Sequence, residues 1–212
     1  MSMPVIVIGA GGHAKVLVDA LLASSAVIAG IVDSDPALIR TTILGVPVIG
    51  GDDVVGDFTT SEVRLVNGLG SVGLPAKRQQ LFERFKGLGH TFASVVHPSA
   101  VVAPDVEIGE GSQIMAGAVV QPGCRIGVNV IINTRASVDH DCVVGDHVHI
   151  APGVTLSGAV TVGEGTHIGT GATVIQGISV GSGALVAAGS VVIRDVQHGS
   201  IVIGVPGKVL EK

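Results

Sequence analysis

The segment "VIINTRASVDHDCVVGDHVHIAPGVTLSGAV", residues 130–160, carries two interleaved periods of six. Ile132, Val138, Val144, Ile150 and Leu156 are aliphatic, and four places further on Ala136, Cys142, Val148, Val154 and Val160 are small or β-branched. The first series runs without insertion from Val96 to Val192, the second from Ala100 to Val196. An amphipathic helix repeats at three and four residues, and a half-buried strand alternates by two over one short run. Neither gives an unbroken six. A chain that winds through short flat strands of equal length does, so the sequence predicts a parallel β-helix whose coils stack into one continuous core.

Composition fits a narrow prism. The chain has 212 residues, 47% of them hydrophobic, with four Phe and no Trp or Tyr. Such an interior admits Val, Ile and small side chains, and the lack of aromatics removes the usual platforms for base stacking. With a net charge of −5 and scattered basic residues, no electrostatic footprint for nucleic acid is visible. Lys15, Asp19 and Asp33 interrupt the long apolar stretch, so no membrane span is expected. The start "MSMPVIVIGAGGHAK" lacks a basic region and enters a strand-like run directly, so a cytoplasmic protein without a secretory signal is expected. Two cysteines, Cys124 and Cys142, make no disulfide framework and read as reduced core residues.

Residues 1–95 follow another pattern. "VIVIGAGGHAKVLVDALL" reads as a buried strand, a glycine turn and a helix with Val16, Leu17, Ala20 and Leu21 on one face. "AVIAGIVDSDP" and "EVRLVNG" read as further strands, and "PAKRQQLFERFKG" as a second helix. Alternating strands and helices predict a small parallel sheet, half of a doubly wound nucleotide fold. Gly9, Gly11, Gly12 and Ala14 form a GxGxxA-like turn, with Asp33 at the next strand's end. Glycines let backbone N–H groups approach phosphate at the helix N-terminus, and the acid can hold a ribose or base edge. About 95 residues hold only one mononucleotide half, so one nucleotide is expected rather than a dinucleotide. His13 and Lys15 sit where phosphate or sugar would lie, although Lys15 also fits an ordinary solvated helix position.

The hexads resemble those of the hexapeptide acyltransferases. "GAGGHAK" (residues 9–15) together with "DHDC" (residues 139–142) narrows the resemblance to the sugar acetyltransferases of the sialic acid O-acetyltransferase and bacillosamine N-acetyltransferase group, over essentially the whole chain. The resemblance implies an α/β N-terminal domain, residues 1–95, that binds a nucleotide sugar, then an all-β left-handed parallel β-helix, residues 96–212, with three hexads per coil. At eighteen residues per coil, Cys124 should stack on Cys142 and His149 on His167. It further implies a cyclic homotrimer and acetyl transfer from acetyl-CoA to the 4-amino group of a nucleotide-linked deoxy amino sugar such as GDP-perosamine, in the synthesis of surface glycans.

His140 then matches the catalytic base and Asp141 its acidic helper, a pairing that suits an imidazole whose ordinary pKa is near 6.5. His149 matches a histidine that contacts acetyl-CoA, and Gly158, Thr170 and Ala188 match positions along the pantetheine and nucleotide path. Asn133 is expected in that groove too. Gly11, Gly12, His13 and Asp33 match contacts to the nucleotide sugar, with Asp35 an alternative acid. Residues 96–196 contain Arg125, Arg135 and Arg194 but no Lys, so Lys208, in the tail "IVIGVPGKVL", is a candidate for a CoA phosphate. Since the prism interior must be apolar, residues 137–150 read as a single corner facing both substrates.

Other classes compete. An O-acetyltransferase acting on a sugar such as sialic acid would use the same base. A zinc enzyme like the γ-type carbonic anhydrases needs a three-histidine site, but His140 lies seven and nine residues from His147 and His149, which is not that family's spacing, and no metal is expected. A non-catalytic nucleotide-sugar binding module would explain the glycine turn but not the clustered His and Asp residues.

Overall fold

The computed structural model describes residues 3–210. Strands β1 (Val5–Ile8), β2 (Ile28–Val32), β3 (Thr42–Ile43), β4 (Val46–Gly50) and β5 (Arg64–Asn67) form one sheet in the order β3-β4-β2-β1-β5. Helix α1 (Gly12–Ala23) links β1 to β2, and α2 (Ala76–Gly87) follows β5. The sheet is not wholly parallel as expected: β3 and β4 pair antiparallel at its edge. The run "VPVIG" hides its strand behind Pro47, which cannot donate to a ladder and so reads against a strand with a neighbour on each side. Helix α1 also turns differently from the expected face. Ala14, Leu17, Val18, Ala20 and Leu21 are buried, while Val16 is 42% exposed.

From Val95 the chain winds as a β-helix of two-residue strands, left-handed. Equivalent strands pair in parallel with a step of eighteen, giving three faces. Gln113, Ile131, His149 and His167 stack on the first face. Val119, Ser137 and Thr155 stack on the second, and Arg125, Val143 and Thr161 on the third. Both hexad series point inward as expected, from Ile114 and Ala118 to Val192 and Val196. Cys124 and Cys142 are among them, their Sγ atoms 3.0 and 3.2 Å from the carbonyls of Asp139 and Ser157. Val96, inward by sequence phase, is 40% exposed, because no coil lies beneath the first one.

Each corner turns through a left-handed residue. Every sixth position from Gly111 to Gly189 has φ between +54° and +76°. Glycine fills most of them, but Asn129, Arg135, Asp141 and His147 occupy four in succession, and Ala159 another. Asn, Asp and His tolerate this region better than most side chains. One coil thus places large polar groups at corners that elsewhere are bare.

The sheet packs on the first face. Met115 and Ile131 point outward from the β-helix yet are fully buried, sharing a core with Val5, Ala14, Leu17, Val66 and Val95. Phe92 bridges in parallel to Leu65 as the chain passes from sheet to coil. Among the described residues no helix is long and apolar enough to cross a membrane.

Candidate active site

A cavity of about 670 Å³ lies where the carboxyl ends of β1, β2 and β5 meet the first face, lined by Gly9, Gly11, Gly12, His13, Val16, Asp33, the loop of residues 68–72, Asn133, Thr134, His149 and Pro152. The ends of parallel strands are where such sheets take ligands. Helix α1 opens into it. Its N-cap, Gly11, makes no side-chain cap, its first turn holds no acid, and its first backbone bond runs from Lys15 N–H to Gly11. The amides before Lys15 are therefore unpaired within the helix and carry the positive end of its dipole, a seat for an anion. Asp33 is tied to the glycine turn, its Oδ2 accepting from Ala10 N–H at 2.6 Å. Asp35 instead caps a short 3₁₀ turn through Ala37 N–H and lies outside the lining, so of the two acids the cavity has Asp33. Lys15 is exposed and also outside the lining.

Hydrogen bonds fix both cavity imidazoles. Gln113 Nε2 donates to Asn67 O at 2.8 Å, so its amide oxygen faces His13 Nε2 at 2.8 Å and that nitrogen carries the proton. His13 Nδ1 is then an acceptor. Burial and the Arg78 charge lower the pKa of His13 to about 4. Asn133 Oδ1 accepts from Thr134 N–H at 2.8 Å, which turns its Nδ2 toward His149 Nε2 at 3.1 Å. His149 therefore donates from Nδ1 to Ser71 Oγ at 2.7 Å. Both its nitrogens are engaged, and burial with the neighbouring charges of His167, His13 and Arg78 lowers its pKa to about 3. His149 is a fixed neutral dipole rather than a base.

His140 lies elsewhere. Residues 139–141 turn between the second and third faces, whereas Asn133, Thr134 and Pro152 turn between the first and second. Its Nδ1 donates to Asp141 Oδ2 at 2.9 Å. That bond raises the pKa of His140, more than burial lowers it. Nε2 is left with its lone pair on an exposed corner, as a general base requires. Gly158, one coil on, abuts the ring: a Cβ there would lie 2.5 Å from Nε2.

The three histidines of residues 137–150 therefore do not share one corner, contrary to the sequence-based expectation. A six-residue step carries the chain to the next corner, so His147, seven residues beyond His140, turns between the third and first faces. There it meets Asn129 Nδ2 at 2.9 Å and the Phe82 ring edge on α2. Its role in the structure is packing. The same phase separates the expected acetyl-CoA path into two columns. Thr134, Pro152, Thr170 and Ala188, spaced by eighteen, run up one corner, and Thr170 and Ala188 are exposed above the cavity. Gly158 stands on the other corner with His140. Lys208 is exposed beside a smaller hollow of about 260 Å³ with Arg194 and Gly207. His167 does stack on His149, ring centroids 4.9 Å apart.

The sequence reading missed the loop of residues 68–72, Gln113 and Arg78. "NGLG" at residues 67–70, a second glycine turn ending a strand, was the available signal. Gln113 and Arg78 gave none, since an outward hexad position and a helix arginine are unremarkable until the two parts pack.

Residues 4–85 match the PglD N-terminal domain, and residues 123–158 match the bacterial transferase hexapeptide family (six repeats). No curated protein matches the chain. Among solved structures, the acetyltransferase domain of PglB from Neisseria gonorrhoeae FA1090 is 38% identical, covering 99% of this chain and 100% of that one, with TM-score 0.90. A mutant of perosamine N-acetyltransferase from Caulobacter crescentus, in complex with CoA and GDP-perosamine, is 40% identical over 99% of this chain and 97% of that one, with TM-score 0.91. The chain belongs to the hexapeptide-repeat acetyltransferases that carry a PglD N-terminal domain. WeeI from Acinetobacter baumannii AYE is 28% identical over 99% of this acetyltransferase, with TM-score 0.87. The PglB domain has also been solved in complex with acetyl coenzyme A.

Proposed function

We propose that this acetyltransferase moves the acetyl group of acetyl-CoA to the 4-amino group of a nucleotide-linked deoxy amino sugar, GDP-perosamine or a close analogue. The observation that carries the reading is the His140–Asp141 pair, with its free Nε2 on an exposed corner of a β-helix. Residues 1–95 act as the nucleotide-sugar domain and residues 96–212 as the transfer domain. The α1 N-terminus with Gly11, Gly12, His13 and Asp33 receives the nucleotide. Asn133, His149, Gly158, Thr170, Ala188 and Lys208 belong to the acetyl-CoA side.

The sugar amine attacks the thioester carbonyl, forming the C–N bond, and the collapsing tetrahedral intermediate breaks C–S. His140 Nε2 takes the proton from the nitrogen and returns it to the departing thiolate. Asp141 holds the Nδ1 proton and steadies the imidazolium. His149, its Nδ1–H given to Ser71 and its Nε2 accepting from Asn133, fixes the wall of the groove that receives acetyl-CoA.

Within one chain the second face separates His140 from the cavity. A cyclic homotrimer, in which one chain's His140 corner closes against its neighbour's cavity, brings the two together. A cytoplasmic setting agrees with the two free buried thiols.

Thiol release from acetyl-CoA tests the reading, with GDP-perosamine, a UDP-4-amino sugar and free sialic acid as acceptors. Release with one amino-sugar nucleotide is expected. Release with sialic acid alone would replace it with O-acetylation, and nucleotide binding without release would leave a binding module.

A further inference from the structure

Arg78, on α2, is 1% exposed, and no carboxylate among the described residues lies within ion-pairing distance of it. Its Nη1 donates to the carbonyls of Asn67 at 2.9 Å and Leu69 at 2.8 Å, and its Nε to that of Asn129 at 3.4 Å. Nη2 is buried without a partner among the described residues. Burial lowers its pKa only to about 9, so the group is charged at neutral pH. A buried cation opposed by carbonyl dipoles alone is a costly arrangement.

What those bonds hold is the cavity wall. Asn67 and Leu69 flank Gly68, whose N–H bonds Ile8 O at 2.7 Å and where a Cβ would meet that oxygen at 2.6 Å. Two residues beyond Leu69, Ser71 reaches His149. The Asn67 carbonyl also receives Gln113, which holds His13. Three parts of the cavity, the Gly68 wall, the Ser71–His149 pair and His13, thus trace back to one guanidinium. Its charge reaches both imidazoles, disfavouring their protonation, and it adds to the positive end of α1. Asp33, the one carboxylate in the lining, is already tied to Ala10 N–H.

We propose that Arg78 is a positioning residue for this site: it clamps residues 67–69 to set the cavity wall, and its uncompensated charge makes the cavity a seat for a diphosphate. The second half rests on the nucleotide-sugar reading above, while the clamp does not.

The test compares Arg78→Met and Arg78→Lys with the wild-type chain. Calorimetry with GDP and UDP measures affinity, acetyl transfer measures KM and kcat, and NMR follows titration of His13 and His149. The groups facing His149 are Arg78, His13 and His167, and the groups facing His13 are Arg78, His149 and Gln113. Arg78→Met is expected to weaken nucleotide binding by about ten-fold or more and to let both histidines protonate at higher pH. Arg78→Lys keeps the charge but lacks the planar fork, so KM should stay near wild type while kcat falls. A folded Arg78→Met chain with unchanged affinity and unchanged histidine titrations would overturn the proposal. If that variant does not fold, Arg78→Lys with unchanged kcat overturns it instead. A wild-type chain that binds neither GDP nor UDP would refute the nucleotide-sugar reading, and the histidine titrations would still decide whether Arg78 governs the cavity.

Discussion

Asp141 accepts a hydrogen bond from His140 Nδ1–H and raises the ring's pKa above the usual 6.5. In the proposed reaction the neutral ring is the base, so kcat/KM should rise as pH passes upward through that raised value. In Asp141→Asn the acidic limb of the pH–rate profile should shift to lower pH, and the plateau should fall because the ring loses its orientation. An unmoved limb would show that His140 does not govern the rate. Gly158 gives a second test at the same ring. The Cβ of Gly158→Ala would occupy the space of Nε2, and the side chain, 52% exposed, is free to swing away. A misplacement of that size costs roughly 10²-fold in rate, and the melting temperature should stay near wild type. A variant of full activity would mean that the ring works from another position.

Among the elements, the corner turns of the β-helix explain why the polar side chains gather in one coil. A left-handed residue is required at each corner, and glycine meets that need at little steric cost. Where Asn129, Asp141 and His147 replace it, the coil accepts strain and gains a side chain with a bond to make. Ala159 has the same strain, φ +56°, and an exposed methyl group. Ala159→Gly should therefore stabilise the protein by about 1 kcal/mol. Thermal unfolding should show a rise of about 2–4 °C for a chain this long. A fall would mean that the methyl group makes a contact outweighing the strain.

Across the whole molecule, His13 and His149 are neutral in the fold with pKa values lowered to about 4 and about 3. The unfolded chain binds protons at these residues near pH 6.5, the folded chain only well below it. The unfolded state then holds more protons throughout that window, so stability falls as pH drops from 6.5 toward 4. Each such histidine contributes up to about 1.4 kcal/mol per pH unit. Melting curves across that range check it, and a flat profile would contradict the buried neutral rings. The proposed assembly has its own test, in which His140→Ala chains are mixed with Asp33→Arg chains. Each should be inactive alone, and the mixture should regain activity after subunit exchange, because a site formed between two chains can take one intact half from each. A mixture that exchanges subunits and stays inactive would place the whole site in one chain.

The sequence by itself determined the β-helix, because an interior that repeats every six residues leaves the same mark on every hexad. It also determined the glycine turn before α1 and the His140–Asp141 pair, where neighbours in sequence are neighbours in space. Tertiary structure alone decided which histidine belongs where. A step of six advances the chain by one face, so residues a few positions apart diverge around the prism while those eighteen apart meet. It alone decided the cavity too, since Arg78, Gln113 and Ser71 come from three separate segments and acquire a shared purpose only when the sheet packs on the first face. No local pattern records that contact, because it depends on the outward side of one element meeting the loop ends of another.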